Sequence, residues 1–320
     1  MTAAPIVSVV IPCHNDGRFL REALDSLQAQ TFRDFETIVV DDGSTDPDSL
    51  QALRELEPAC TRVIRGAQHG VVQARNTAIA AARGRYILPL DADDRIGSRY
   101  LELAVPVLEH DPKVGIVYCK AEFFGERNGA WELPPYRFPE ILIGNVIFNC
   151  ALFRREDWLR VGGFNPNMHE GWEDFDFWIS LIELGRDVRQ LPDTLFYYRI
   201  KPASRNAAML EDSSRFARAY ATIYRNHPAL YHQHMDVVFA EMVRLWDVIA
   251  ERNRQLQEAE AKIEALSTRG KLQEDAPTRE PLVLAAGDQQ ERHQGTPASP
   301  GTTPPPLLAR LWRALRPPTE

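Results

Sequence analysis

Cysteine is scarce in this sequence: Cys13, Cys60, Cys119 and Cys150 are the only four in 320 residues, and no two stand in C-x-x-C spacing. Such a pattern suggests neither a disulfide framework nor a zinc site, and it fits a reducing compartment. Long apolar runs are missing as well. No window approaches the ~18 uninterrupted apolar residues that a bilayer span requires. The opening residues, "MTAAPIVSVVIPCHN", lack a basic stretch ahead of an apolar one, so neither a membrane-spanning segment nor a secretory leader is expected. Basic excess is also absent, since 37 Lys and Arg face 45 Asp and Glu for a formal charge of −8. Nucleic acid, which demands clustered cations along its phosphates, is not an expected partner. What is present is a 44% hydrophobic chain, enough for a substantial core, with a cytoplasmic location expected.

In the first half, short apolar runs alternate with helical patterns: "VSVVIP", "GRFLREALDSLQAQ", "FETIVVDD", "DSLQALRELE", "TRVIRG", "GVVQARNTAIAAARG" and "RYILPLD". The runs are rich in Val and Ile and barely alternate, as strands buried on both faces of a parallel sheet do, with helical crossovers between them. The spacing therefore predicts a doubly wound α/β start. Three of these strands end in polar residues, "PCHN", "DDGSTD" and "DADD", and in such sheets ligands bind beyond the carboxyl ends of the strands. From about residue 114 the pattern is mixed, with "VGIVYCK" and "CALFRRE" read as strands and "EDFDFWISLIELG" as a helix.

The stretch "YILPLDADDRIG" sets Asp91, Asp93 and Asp94 directly behind an apolar run. Carboxylates side by side resist ionising together, so a positive partner is expected. One Asp could cap the next helix, but three exceed that need. A calcium loop fails at Arg95 and Ile96, where an EF-hand wants an acidic or Asn ligand and a glycine. A divalent ion shared with a phosphorylated ligand fits better, because Mg²⁺ takes one or two carboxylates plus substrate phosphates.

"VSVVIPCHNDGRFLREALDSLQAQTFRDFETIVVDDGSTD", "ARNTAIAAARGRYILPLDADD" and "GWEDFDFW", in this order, resemble the family 2 glycosyltransferases of the GT-A fold, a Rossmann-like, mostly parallel sheet flanked by helices. The likeness covers roughly residues 6–204. It implies an inverting enzyme moving a sugar from a UDP- or dTDP-sugar to a hydroxyl of a surface polysaccharide or lipid-linked glycan. By matching positions, Pro12, His14 and Asn15 would border the nucleotide base, Asp42 would accept from a ring N–H and Asp41 would support that loop. Arg75 would face the nucleotide or its phosphates. The D-x-D motif falls on Asp91 and Asp93, with Ala92 between them in the nucleotide-sugar site. Asp91 would reach ribose or metal, Asp93 would ligate Mg²⁺ or Mn²⁺, and Asp94 would orient the others. In "GWEDFDFW" the resemblance makes Asp174 the general base, with Glu173 in reserve, and Trp172 a surface for a sugar face. Trp178, inside the helix, reads as core. Where many relatives carry a histidine after "YYR", this chain has Lys201, so Arg199 and Lys201 are expected phosphate contacts and the ligand set beyond Asp93 is open. Asp46 reads as a plain helix cap.

Two other readings compete. A sugar nucleotidyltransferase would want a Gly-rich phosphate loop where "PCHNDG" stands. An inactive scaffold would work through its C-terminal arm, against which the intact Asp93 and Asp174 argue. Beyond a catalytic domain of residues 1–204, residues 205–267 read as a helical extension. Within it Met242, Leu245, Ile249, Leu256, Ala259, Ile263 and Leu266 fit a heptad register broken only at Arg252, a homo-oligomer contact through residues 242–266. Residues 268–305 read as disordered. Residues 306–320 form a short tail in which 306–316 are basic and amphipathic, a peripheral contact to the inner face of the cytoplasmic membrane.

Overall fold

The computed structural model describes residues 4–201 and 212–274. In the first half the chain alternates strand and helix: β1 (Val7–Cys13), α1 (Gly17–Gln28), β2 (Phe35–Asp42), α2 (Pro47–Leu56), β3 (Arg62–Gly66), α3 (Val71–Ala81) and β4 (Tyr86–Pro89). β1 is buried at all seven positions, which is why its sequence shows no alternation. It pairs in parallel with β2 on one side and β4 on the other, and β3 extends the parallel row beyond β2. Asp46 caps α2 as the sequence predicts, its Oδ2 accepting from the Ser49 N–H at 2.8 Å.

The second half adds β5 (Arg95–Ile96), α4 (Tyr100–His110), β6 (Val114–Gly125), β7 (Gly129–Trp131), β8 (Leu152–Arg154), α5 (Arg155–Val161), α6 (Glu173–Glu183) and β9 (Asp187–Ile200). All strands join one sheet in the order β3-β2-β1-β4-β8-β6-β9-β5, with β7 on β6. β8 runs antiparallel to both β4 and β6, whereas β9 lies parallel to β6. The sheet is thus mixed beyond β4, and the curled second half brings the end of β9 back toward the end of β4. Trp178 is fully buried on α6 and donates through Nε1 to the Ile147 carbonyl at 3.1 Å, the core role read from its position.

Helices α7 (Ser213–Asn226) and α8 (Pro228–Gln233) follow, then α9 (Met235–Glu274). The first two pack on the sheet domain. Arg215 Nε donates to the Glu170 carbonyl at 2.9 Å, the Tyr220 hydroxyl to the Ile143 carbonyl, and the Tyr231 hydroxyl to the Leu142 carbonyl at 2.8 Å. The compact unit therefore runs through Glu241, past the boundary expected at residue 204. A second unit starts at Met242 and continues α9. On it Trp246, Leu256 and Ile263 are more than half exposed. The helix continues past residue 268 to Glu274, into the stretch read as disordered, and the basic tail 306–316 lies outside the described residues. No described helix is long and apolar enough to cross a membrane.

Candidate active site

The carboxyl ends of β2, β1 and β4, neighbours in the sheet, carry the polar runs singled out in the sequence. At the first two, a hydrogen-bond network fixes the loops. Pro12 is buried within β1, opposite Val40. His14 Nδ1 lies 2.9 Å from the Asp42 carbonyl, which requires the proton on Nδ1 and leaves Nε2 to accept from Asn15 Nδ2 and Gln68 Nε2. Asn15 adopts a left-handed backbone (φ 56°), and its Oδ1 accepts from the N–H groups of Thr45 and Asp46. Asp41 Oδ1 accepts from the Ser44 N–H. The buried Asp42 carboxylate accepts from the N–H groups of His69 and Gly70, both at 2.8 Å. Asp42, expected at the base, thus pins the loop that leads into α3, and any ring N–H would use its remaining lone pairs.

At the end of β4, each acid of "DADD" meets a different partner. Asp91 Oδ1 accepts from Arg75 Nη2 at 2.7 Å. Ala92 is buried. Asp93 Oδ2 stands 2.7 Å from the Lys201 ammonium. Asp94 is fully buried and its Oδ1 accepts from the Arg199 N–H at 2.8 Å. Burial first, then the charges of Asp93 and Asp91, push Asp94 well above the carboxylate range and favour its protonated form. α4 begins only at Tyr100 and has no side-chain cap, so helix capping does not account for these acids. Arg199, expected at the phosphates, is largely committed to protein: its Nε donates to the Asp93 carbonyl, its Nη2 pairs with Glu22 at 2.8 Å, and its guanidinium lies over Phe19 and Phe124.

Arg75, expected to face the nucleotide or its phosphates, is 1% exposed on α3, with Nη1 on Glu173 Oε1 and Nη2 on Asp91 Oδ1, each at 2.7 Å. Burial works against its charge, but Asp91, Glu173 and Asp174 outweigh that and raise its pKa above the ordinary value. The physical reason is plain: a buried guanidinium persists only between acids, and its planar fork spans two of them. Glu173 is itself 2% exposed, so it serves as the far end of this bridge. Asp174, the next residue, is only partly buried and its Oδ1 accepts from the Phe175 N–H at 2.8 Å. Trp172, the residue ahead of α6, has a left-handed backbone (φ 61°) that turns the chain into the helix. Its ring, expected against a sugar, meets the edges of Phe175, Phe216 and Tyr220 on α6 and α7.

Sequence reading missed Asp16, whose carboxylate oxygens accept from Lys201 at 2.9 and 3.0 Å, and Glu22. It also missed His227, wedged between Asp176 and Glu183 of α6. Only Asp16 carried a signal, following directly on the polar end of β1. In donor type, Asp91 and Asp93 fit Mg²⁺ or Mn²⁺, which accept carboxylate and phosphate oxygens. Burial, followed by the Asp91 charge, raises the pKa of Asp93 in spite of Lys201, so the pair is short of positive charge. Among the described residues no three His, Cys, Asp or Glu side chains form a cage, and an ion here would rely on substrate oxygens.

A mixed sheet with flanking helices and acids beyond the end of β4 and at the start of α6 matches the GT-A class of folds. Residues 8–162 match the model of glycosyl transferase family 2, and this stretch is a domain of that family. Chondroitin synthase of Escherichia coli is 30% identical over 188 residues, covering 57% of this chain and 27% of that protein. Among solved structures, S. aureus TarS in complex with UDP-GlcNAc superposes with a TM-score of 0.57 at 21% identity, over 69% of this chain and 66% of that one. The mannosyltransferase PcManGT of Pyrobaculum calidifontis, in complex with GDP-Man and Mn²⁺, gives 0.51 at 24%, over 78% and 76%. These two likenesses establish the fold. The chain spans 19 to 27% of the length of the first curated relatives it matches.

Proposed function

We propose that this chain is an inverting glycosyltransferase that moves a sugar from a UDP- or dTDP-sugar to a hydroxyl of a surface polysaccharide or lipid-linked glycan. The observation that carries the reading is the Arg75 bridge. One buried guanidinium ties Asp91, at the end of β4, to Glu173, the first residue of α6, and so fixes Asp174 relative to the acids of "DADD". In this reading the base and ribose lie over the ends of β1 and β2, bordered by Pro12, His14, Asn15 and the Asp41–Asp42 loop, with Asp91 and Ala92 toward the ribose. The acceptor hydroxyl attacks the anomeric carbon from the face opposite the diphosphate. Asp174 takes the hydroxyl proton as the new C–O bond forms, and the electron pair of the broken bond leaves with the nucleoside diphosphate. Glu173, held by Arg75, is the support of that base, which is why Asp174 is preferred to it. A divalent ion, Mg²⁺ or Mn²⁺, held by Asp93 and Asp91, would neutralise the leaving diphosphate when bound. The nucleotide sugars in the two solved neighbours, and the Mn²⁺ in one, support the donor class and the ion.

A screen of nucleotide sugars for UDP or dTDP release, with and without chelator, tests the reading. Release should require one donor, and Asp174→Asn should lower it by about 10²–10⁴-fold while nucleotide affinity holds. Full activity of Asp174→Asn would refute the assignment.

The exposed apolar residues of α9 support a second role for the same chain, pairing with another copy through residues 242–266. The full-length Leu256→Lys, Ile263→Lys double variant should then sediment at lower mass than wild type; equal masses would refute the pairing.

A further inference from the structure

Three strand ends meet at one side chain. Lys201 follows β9, Asp16 follows β1 and Asp93 follows β4, and the Lys201 ammonium lies 2.9 and 3.0 Å from the two Asp16 oxygens and 2.7 Å from Asp93 Oδ2. The lysine side chain is 15% exposed, so the charge is drawn into the crevice instead of reaching for solvent. Around it the charges do not balance. Asp16 and Asp93 flank a single ammonium, and Asp91 adds a third carboxylate whose own partner, Arg75, is shared with Glu173. A diphosphate arriving here brings further negative charge. It meets a cation already in place on the very carboxylate to which a divalent ion is assigned. An ammonium has three donors on a flexible stem and can hold two carboxylates and a phosphate oxygen together, which a planar guanidinium in its fork geometry cannot do as freely. The neighbouring Arg199 donates through Nε to the Asp93 backbone carbonyl and forms an ion pair with Glu22, whereas Lys201 is the cation on the Asp93 carboxylate.

We propose that Lys201 is a resident cation of the donor site: held between Asp16 and Asp93, it competes with a divalent ion for Asp93 and pairs with the diphosphate of the bound nucleotide. The proposal rests on the nucleotide-sugar reading above and adds Asp16 as the second anchor of the cation. It makes nucleotide binding only partly dependent on added metal, and it makes Lys201 a brake on metal binding when nucleotide is absent.

The test measures two equilibria on the full chain without turnover. Mn²⁺ binding to the nucleotide-free protein is followed by electron paramagnetic resonance of the free ion, and UDP and dTDP binding in EDTA by calorimetry. Lys201→Met should tighten Mn²⁺ binding and weaken metal-free binding of the preferred nucleotide, each on the order of tenfold, the size of one charge-assisted hydrogen bond. Lys201→Arg should retain metal-free nucleotide binding to within a few fold, for the charge remains. A lysine that merely props up the fold would not move the two constants in opposite directions. Both constants unchanged in Lys201→Met, or both weakened, would overturn the proposal while leaving the transferase reading intact. Failure of the wild type to bind either nucleotide with or without Mn²⁺ would overturn both. If Lys201→Met does not fold by circular dichroism, the wild type decides: nucleotide affinity in EDTA within about tenfold of that in Mn²⁺ supports the proposal, and a loss beyond about a hundredfold refutes it.

Discussion

Alkaline pH should loosen the helix that carries the proposed base. His227 is 4% exposed, its Nε2 3.2 Å from Asp176 Oδ1 and its Nδ1 2.8 Å from Glu183 Oε2, so one imidazolium ties the start of α8 to two acids of α6. Burial works against its charge, but the hydrogen bonds to Asp176 and Glu183 outweigh that and lift its pKa from 6.5 to about 9. A rise of this size corresponds to about 3 kcal/mol of differential stabilisation, to order of magnitude. The raised value belongs to the folded state, so the folded protein holds the proton where the unfolded one has released it. The contribution is complete below about pH 6.5, falls as pH rises and is lost above about pH 9. The thiols of buried Cys13 and half-buried Cys60 act in the same direction at high pH, because desolvation raises them to about 12 and about 11. The assay is therefore a double difference: urea unfolding of wild type and His227→Gln at about pH 6 and about pH 9.5, which cancels the thiols. Wild type should lose about 3 kcal/mol more than the variant between the two conditions. Equal losses in the two proteins would refute the reasoning.

Arg75→Met should destabilise the fold by about 3–5 kcal/mol in chemical denaturation, because it leaves the buried Glu173 without its cation, and Arg75→Lys should recover only part of that loss. Asp174→Asn should lower transfer by about 10²–10⁴-fold, the usual weight of a general base, with nucleotide affinity by calorimetry unchanged. Gly43 has φ +69° and a Cβ there would stand 2.5 Å from the Gln68 backbone nitrogen, so Gly43→Val should cost about 1–3 kcal/mol in thermal unfolding and weaken UDP binding.

Much of the first half was legible because its signals are local. β1 is buried on both faces, so a continuous Val/Ile run could only be a central strand, and "DADD" behind β4 could be recognised as crowded acid without any tertiary information. β5 and β7 escaped notice because a two-residue and a three-residue strand have no period to detect. The packing of α7 and α8 on the sheet domain was hidden for a related reason. α7 and α8 mix apolar and polar residues, and their attachment runs through long-range contacts such as Tyr231 to Leu142 and His227 to Asp176, whose partners no spacing along the chain announces.

The site residues divide along the same line. The identity of the acids was legible, but the allocation of cations among them was not, since each cation comes from a distant element: Arg75 from α3, and Arg199 and Lys201 from the end of β9. That allocation is what separates the roles. Asp94 is buried, accepts from the Arg199 backbone N–H and is pushed toward its neutral form, so it acts as a fixed support for the β9 terminus. Glu173 is paired with a fully buried arginine, and protonating it would strand that cation, which is the argument for proposing its neighbour as the base. Asp174 follows it directly on α6 yet is only partly buried. Two adjacent acids of similar intrinsic strength are thus held differently by one guanidinium: Glu173 touches it directly, and Asp174, the proposed base, is the next residue along α6.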